Sequence, residues 1–138
     1  VKFDIYGIDR VQPIWADHYF KTISNSKMGL NLSRGEPIKY YSSDRITQII
    51  GNGLVTLIDE KTSYQDFFDK DEMIFYKSVD DLSEKISKIS QDEKIRKKIG
   101  KKGRDKYLKY FNSTLVANFI LNKTFDLKDK TKYLWHNG

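Results

Sequence analysis

The residues best suited to chemistry lie in one polar segment, residues 33–43, and at the start of the helix expected after it. Cations, hydroxyls and an acid follow one another there: Arg34, Lys39, Ser42, Ser43, Asp44 and Arg45. Free backbone amides and the partial positive charge of a helix start attract anions, and guanidinium groups bind phosphate oxygens in pairs. The segment therefore predicts a binding site for a diphosphate.

A purely structural interpretation of the same segment stays open at this point. Ser42, Ser43 and Asp44 belong to the residue types that cap helices, and Arg45 could pair with Asp44 or with Glu36. Helix caps are far commoner than ligand sites. The segment taken alone does not decide between the two interpretations.

The composition excludes several other kinds of catalytic centre. The 138 residues contain no cysteine and only two histidines, His18 and His136, so neither a thiolate metal site nor a zinc centre is expected. The chain also lacks a phosphate-binding P-loop, a GxGxxG turn, an HExxH pair and a Gly-x-Ser-x-Gly nucleophile turn. We therefore expect no metal and no cofactor.

The elements that would position the polar segment follow from the spacing of apolar residues. Strands are predicted over 1–6, 28–32, 54–58 and 73–76. Helices are predicted over 14–26, from 42 or 43 to 50, over 79–111 in sections and over 115–125, with one helical turn over 64–68. The run Gly51-Asn52-Gly53 predicts a helix stop, and Gly100 and Gly103 are expected to loosen the helix that contains them.

Alternation of strands and helices predicts an α/β domain with an open, mostly parallel sheet and helices on both faces, closed by C-terminal helices. We expect this domain over residues 1–125 and a polar tail over 126–138. Four strands are few for such a sheet, so its first βα unit is expected upstream of residue 1. Ligands of open α/β sheets bind at the carboxyl ends of the strands, which selects the loops 33–43 and 59–63.

The net charge of +6 is concentrated in one helical stretch, residues 94–109. Its cations are Lys94, Arg96, Lys97, Lys98, Lys101, Lys102, Arg104, Lys106 and Lys109. They suit a solvated helix face, or alternatively a non-catalytic module that meets an anionic polymer or a membrane surface; nucleic acid is not the expected partner. No apolar run is long enough to cross a bilayer, so we expect a cytoplasmic protein with at most peripheral membrane contact.

The order of several short motifs resembles the C-terminal region of bacterial group 1 glycosyltransferases. The matching pieces are Tyr6-Gly7, residues 26–34 (SKMGLNLSR), residues 41–46 (YSSDRI) and residues 50–54 (IGNGL). The segments 72–76, 79–82 and 96–107 also fit the layout of that family. The resemblance covers roughly residues 1–120.

The resemblance implies a GT-B enzyme, in which two Rossmann-like domains face a cleft. This chain would be the half that binds a nucleoside-diphosphate sugar, and a separate N-terminal domain would bind the acceptor of the hexosyl group. Arg34, Lys39 and Arg45 would stabilise the departing diphosphate, and any general base would come from the other half. We therefore expect no transfer by this chain alone. A degenerate, purely structural copy of the fold is a third hypothesis.

Two positions depart from the family pattern. Gln48 stands where the family often has a glutamate that binds the ribose hydroxyls, and its amide lacks the charge of a carboxylate. Tyr40 stands where the family has an earlier glutamate, and Glu36 is the nearest acid.

Overall fold

The computed structural model describes residues 1–33, 35–128 and 130–136. Residues 1–15 contain no helix or strand, so the strand predicted over 1–6 is wrong. Its alternating apolar residues Val1, Phe3 and Ile5 are exposed, because no described strand lies beside them to complete the ladder of hydrogen bonds. The turn predicted after them is present: the Gly7 amide donates to the Val11 carbonyl at 3.1 Å.

Three parallel strands form the sheet in the described residues. They are β1 (Met28–Asn31), β2 (Val55–Asp59) and β3 (Ile74–Tyr76), in the order β1-β2-β3. Leu57 of β2 pairs with Leu30 on one side and with Ile74 on the other. The predicted open parallel sheet is confirmed, with three described strands in place of four.

The helices predicted from apolar spacing are confirmed to within a few residues. They are α1 (Ala16–Asn25), α2 (Arg45–Gly51), α3 (Val79–Gln91), α4 (Glu93–Tyr110) and α5 (Ser113–Thr124), with 3₁₀ turns at Glu60–Thr62 and Tyr64–Asp66. Ser78 Oγ caps α3 by accepting from the Asp81 amide at 3.2 Å, and Asn112 Oδ1 caps α5 by accepting from the Leu115 amide at 2.9 Å. Local sequence signals therefore set most of the element boundaries.

One face of the sheet packs against α2 and the C-terminal part of α4. Its buried residues are Ile46 and Ile50 of α2, Ile58 of β2, and Phe68 and Met73 of the connection to β3. Aromatic rings of α4 and of the residue after it close this core, with Tyr107 and Phe68 both stacked on Phe111. Gly29 has no side chain, and this lets β1 approach α2 closely. A Cβ at this position would lie 2.6 Å from Ile49 Cγ1.

The opposite face of the sheet packs against α3 and the N-terminal part of α4. Val55 of β2, Ile89 of α3 and Ile99 of α4 form its buried cluster, and Met28 and Ile74 pack against it. Because Val55 and Ile58 point to opposite sides of β2, the central strand is buried on both faces. Helices on both faces of a parallel sheet, a Rossmann-like arrangement, are thereby confirmed.

Gly100 and Gly103 do not loosen α4, and that prediction is wrong. Both glycines are buried inside a continuous helix. A Cβ at Gly100 would overlap the carbonyl oxygen of Gly53, and one at Gly103 would overlap that of Glu72. Their role is to let the helix backbone touch two loops of the sheet layer.

The elements at the two ends of the chain are less buried. α1 contains no buried residue: its Phe20 is 64% exposed, and Trp15, which precedes the helix, is 75% exposed. In the tail, Tyr133 packs edge-on against Phe119 of α5 at 5.0 Å between centroids, and Trp135 lies 5.6 Å from Phe111. Within the described ranges, no helix combines the length and apolar character needed to span a membrane.

Candidate functional site

The carboxyl ends of the three strands lie at one edge of the sheet, because the strands are parallel. Asn31 ends β1, Asp59 ends β2 and Tyr76 ends β3. The two loops selected from the sequence, 33–43 and 59–63, begin at this edge. The edge is therefore the candidate site.

Hydrogen bonds join these two loops and the turn that follows the second one. The Tyr40 amide donates to the Thr62 carbonyl at 2.7 Å, and the Tyr64 hydroxyl donates to Ser42 Oγ at 3.0 Å. The Tyr40 hydroxyl also donates to Asp66 Oδ2 at 2.7 Å. The structure thus brings the two predicted loops together, which their positions in the sequence did not show.

The start of α2 differs from the prediction in its capping. The helix begins at Arg45 after Asp44, and none of the serine hydroxyls accepts a first-turn amide. Ser43 Oγ donates instead to Asn31 Oδ1 at 3.1 Å, and Ser42 Oγ accepts from Tyr64. The amides of Ile46 and Thr47 donate to the carbonyls of Ser43 and Asp44, at 3.0 and 3.1 Å. Predicted capping by the serines is wrong because their hydroxyls have tertiary partners.

These bonds also limit what the helix start offers to an anion. Two of its amides are already used by backbone carbonyls, and a helix of seven residues has a small dipole. Positive charge at this edge therefore comes mainly from side chains.

Arg45 is the best-defined cation of the site. Its Nη1 donates to the Leu32 carbonyl at 3.2 Å, which fixes the guanidinium beside the end of β1. The side chain is exposed, and no acid pairs with it in the described part of the chain, so the pairing with Asp44 or Glu36 is not seen. The remaining guanidinium donors are thus available to a ligand.

The other predicted residues are less constrained. Lys39 is exposed, with Nζ 4.7 Å from the centre of the Tyr40 ring. Asp44 and Gln48 are exposed, and the Gln48 backbone carbonyl accepts from Asn52 Nδ2 at 2.7 Å. Arg34 lies outside the described residues. The site as described therefore consists of Arg45, held by the Leu32 carbonyl, and of the exposed side chains of Lys39, Asp44 and Gln48.

Asn31 is a candidate that residue-by-residue reasoning did not select. Its side chain is only 2% exposed, and its Nδ2 has no hydrogen-bond partner among the described residues. A buried amide donor without a partner is unusual in a folded protein. The available signal was an asparagine in the last position of an otherwise apolar strand.

The end of β2 adds an acid to the same edge. Asp59 Oδ1 accepts from the Lys61 amide at 2.9 Å, and Ser63 closes this turn in the left-handed conformation with φ 58°. Asp59 is paired in register with Tyr76. Burial raises the pKa of the Tyr76 hydroxyl, and the negative charge of Asp59 raises it further, so this phenol stays protonated at neutral pH.

The basic stretch 94–109 is largely compensated within the protein. Lys97 pairs with Glu93 at 2.7 Å, Lys106 pairs with Glu72 at 2.6 Å, and Lys102 pairs with Asp71. Lys101 pairs with Asp105. Arg96 of α4 is buried and donates to two carbonyls at the end of α3. Among the described residues, five of these nine cations thus have internal partners, as the preceding pairs show. This pattern weakens the hypothesis of an anion-binding surface on α4.

The fold defines a class: a Rossmann-like α/β domain with a polar edge at the carboxyl ends of its parallel strands. Among the described residues, no group of three or more acids and histidines is arranged to hold a metal ion. The family described as glycosyl transferase-like matches residues 1–122, and the chain belongs to this family. No curated protein and no solved structure matches the chain significantly. Membership in this family indicates glycosyl transfer in general, with a sugar donor and an acceptor as the implied partners.

Proposed function

We propose that this chain binds a nucleoside-diphosphate sugar at the edge formed by Asn31, Arg45 and the loop between them. In this proposal it is the donor-binding half of a GT-B glycosyltransferase, and a second domain binds the acceptor of the hexosyl group. The observation that carries the proposal is the exposed Arg45 guanidinium, held by the Leu32 carbonyl at the carboxyl end of β1 in a chain of the glycosyl transferase-like family.

Arg45 supports the diphosphate part of the proposal. A guanidinium fixed by one hydrogen bond keeps its remaining donors in a rigid plane, which suits two phosphate oxygens at once. Lys39 and Arg34 would add positive charge from the same loop. During transfer the bond between the sugar carbon and the phosphate oxygen breaks, and these cations stabilise the charge that develops on the leaving diphosphate.

Gln48 supports the nucleoside part of the proposal. It lies one turn of α2 beyond Arg45, so both side chains can reach the same ligand. Its amide can bond a ribose hydroxyl both as donor and as acceptor, although without the strength of a carboxylate. Ser42, Ser43 and Asp44 complete the loop, with the two serines fixed by Tyr64 and Asn31.

Titration of the chain with uridine, guanosine and adenosine diphosphates by NMR tests the proposal. We expect one of them to bind, and Arg45→Gln to weaken that binding about five- to tenfold through the loss of a charge-assisted bond to phosphate. The matched control is Arg104→Gln, since Arg104 lies beside Gly53 at the opposite end of α2. We expect this control to bind like the wild type.

Two results would contradict the proposal. One is the absence of binding by a folded sample at millimolar concentrations of all three diphosphates. The other is equal weakening of diphosphate binding by both arginine substitutions, because the binding would then depend only on the net charge of the protein. We further expect no transfer to any acceptor by this chain alone.

A further inference from the structure

A cavity of about 430 Å³ lies beside β3, one of the two edge strands of the described sheet, and borders α3 and α4. None of the residues of the proposed donor site lines it. Its floor is apolar and includes Ile74, Ile89 and Ile99. These three residues belong to the core cluster with Val55, whereas Met73 and Phe75 of the lining belong to the cluster on the α2 face. The cavity therefore lies at the edge of the sheet beside β3.

The walls of this cavity carry four lysines and one acid among the described residues: Lys70, Lys77, Lys85, Lys88 and Glu60. Lys85 is paired locally, since its Nζ donates to Asp81 Oδ2 at 2.7 Å and to the Phe75 carbonyl at 2.8 Å, and the charge of Lys77 also acts on Asp81 without a hydrogen bond from its side chain. The side chains of Lys70, Lys77 and Lys88 have no ion pair or hydrogen bond in the described part of the chain.

The apolar floor beneath these lysines distinguishes them from the cations of α4. On α4, Lys97, Lys101, Lys102 and Lys106 each pair with a carboxylate. The other exposed cations of this helix form no ion pair among the described residues, and they do not line the cavity: Lys94, Lys98, Arg104 and Lys109. Around the cavity, Lys70, Lys77 and Lys88 form no ion pair among the described residues, and they lie above an apolar floor. Such a site favours a ligand that brings both a negative charge and an apolar group.

We propose that this cavity binds an organic phosphate monoester with an apolar chain, the chain on Ile74, Ile89 and Ile99 and the phosphate among Lys70, Lys77 and Lys88. Inorganic phosphate alone would gain only interactions with exposed lysines, which are weak in water. An apolar chain alone would leave the lysines unbalanced. The volume is sufficient for a ligand of this size.

NMR titration of the ¹⁵N-labelled chain with monomeric decyl phosphate tests this proposal. We expect shifts at the amides of Ile74, Phe75 and Ile89, with inorganic phosphate and the neutral decyl maltoside each binding at least about tenfold more weakly. The double substitution Lys77→Gln and Lys88→Gln should weaken decyl phosphate binding about tenfold. Glu60→Gln should strengthen it about twofold, because it removes the one acid described in the lining.

The charge-matched control is the double substitution Lys94→Gln and Lys128→Gln, at exposed positions that do not line the cavity. We expect it to bind decyl phosphate within about twofold of the wild type. Equal weakening by both double variants would overturn the proposal, as would equal binding of decyl maltoside. Binding to phosphatidic acid vesicles without binding of monomeric decyl phosphate would also overturn it, since the lysines would then bind a membrane surface and not a single ligand.

Discussion

Gly100 of α4 lies directly against the backbone of Gly53, so closely that a Cβ at Gly100 would overlap the Gly53 carbonyl oxygen. Gly53 follows α2 in the left-handed conformation, with φ 75°, and leads into the central strand β2. The contact therefore sets the distance between α4 and the turn that connects α2 to the sheet.

Gly100→Ala is expected to lower the free energy of unfolding by about 2–3 kcal/mol, because the helix must move away from a backbone atom that cannot yield. The matched control is Gly51→Ala in α2, where an added Cβ meets nothing within 4 Å. Its higher helix propensity should leave stability unchanged or raise it by up to about 1 kcal/mol. Urea denaturation measures both; equal effects would contradict the close contact.

Thr56→Val is expected to raise the free energy of unfolding by about 1 kcal/mol. Thr56 is fully buried in β2, and its hydroxyl has no hydrogen-bond partner among the described residues, so valine removes an unsatisfied polar group at nearly constant volume. Thr62→Val is the control, since the equally buried Thr62 hydroxyl donates to the Asp59 carbonyl at 2.7 Å. That control should lose about 1 kcal/mol; a loss of stability in Thr56→Val would mean that its hydroxyl is bonded.

Asp81 should contribute to stability in a pH-dependent way. The hydrogen bond from Lys85 lowers the pKa of Asp81 below its usual 3.8, and the bond from the Lys77 amide lowers it further. A lowered folded-state pKa stabilises the protein fully above the unfolded-state pKa, and this stabilisation disappears as the pH falls through the folded-state pKa.

Asp81→Asn should therefore be less stable than the wild type at pH 6, and the difference should shrink as the pH falls below about 4. Thermal unfolding at a series of pH values measures this difference. Asp80→Asn, an exposed neighbour in the same first turn, is the charge-matched control. A gap between wild type and Asp81→Asn that stayed constant down to pH 2 would be incompatible with the linkage.

Arg96→Met is expected to cost about 2–3 kcal/mol of stability. Arg96 is 8% exposed, and its Nη1 donates to the carbonyls of Ile89 at 3.2 Å and Ser90 at 2.7 Å, which lie in the last turn of α3. The substitution leaves both carbonyls without this charged donor. Lys97→Met, which removes an exposed pair with Glu93 on the same helix, should cost at most about 0.5 kcal/mol. Chemical denaturation distinguishes the two, and equal losses would refute a tertiary role for Arg96.

Local signals in the sequence were sufficient for most of the secondary structure. The apolar run before Asp59 predicted a central strand, and Gly53 marked the end of α2. Caps such as Ser78 and Asn112 bond an amide only three residues away, so short-range patterns determine them. The same patterns failed for residues 1–6, because a strand also needs a neighbour that the local sequence does not specify.

Tertiary structure alone decided how the candidate site is assembled. Ser43 bonds Asn31 12 positions away, Ser42 bonds Tyr64 22 positions away, and Tyr40 bonds Asp66 26 positions away. Such partners compete with local capping, and which one wins depends on distances that exist only once the sheet has formed. The sequence by itself determined the family, the order of the helices and of the three described strands, and the loops at the carboxyl edge of the sheet. Packing determined that Gly100 permits a backbone contact, that Arg96 is buried, and that lysines without an ion pair surround an apolar cavity by β3.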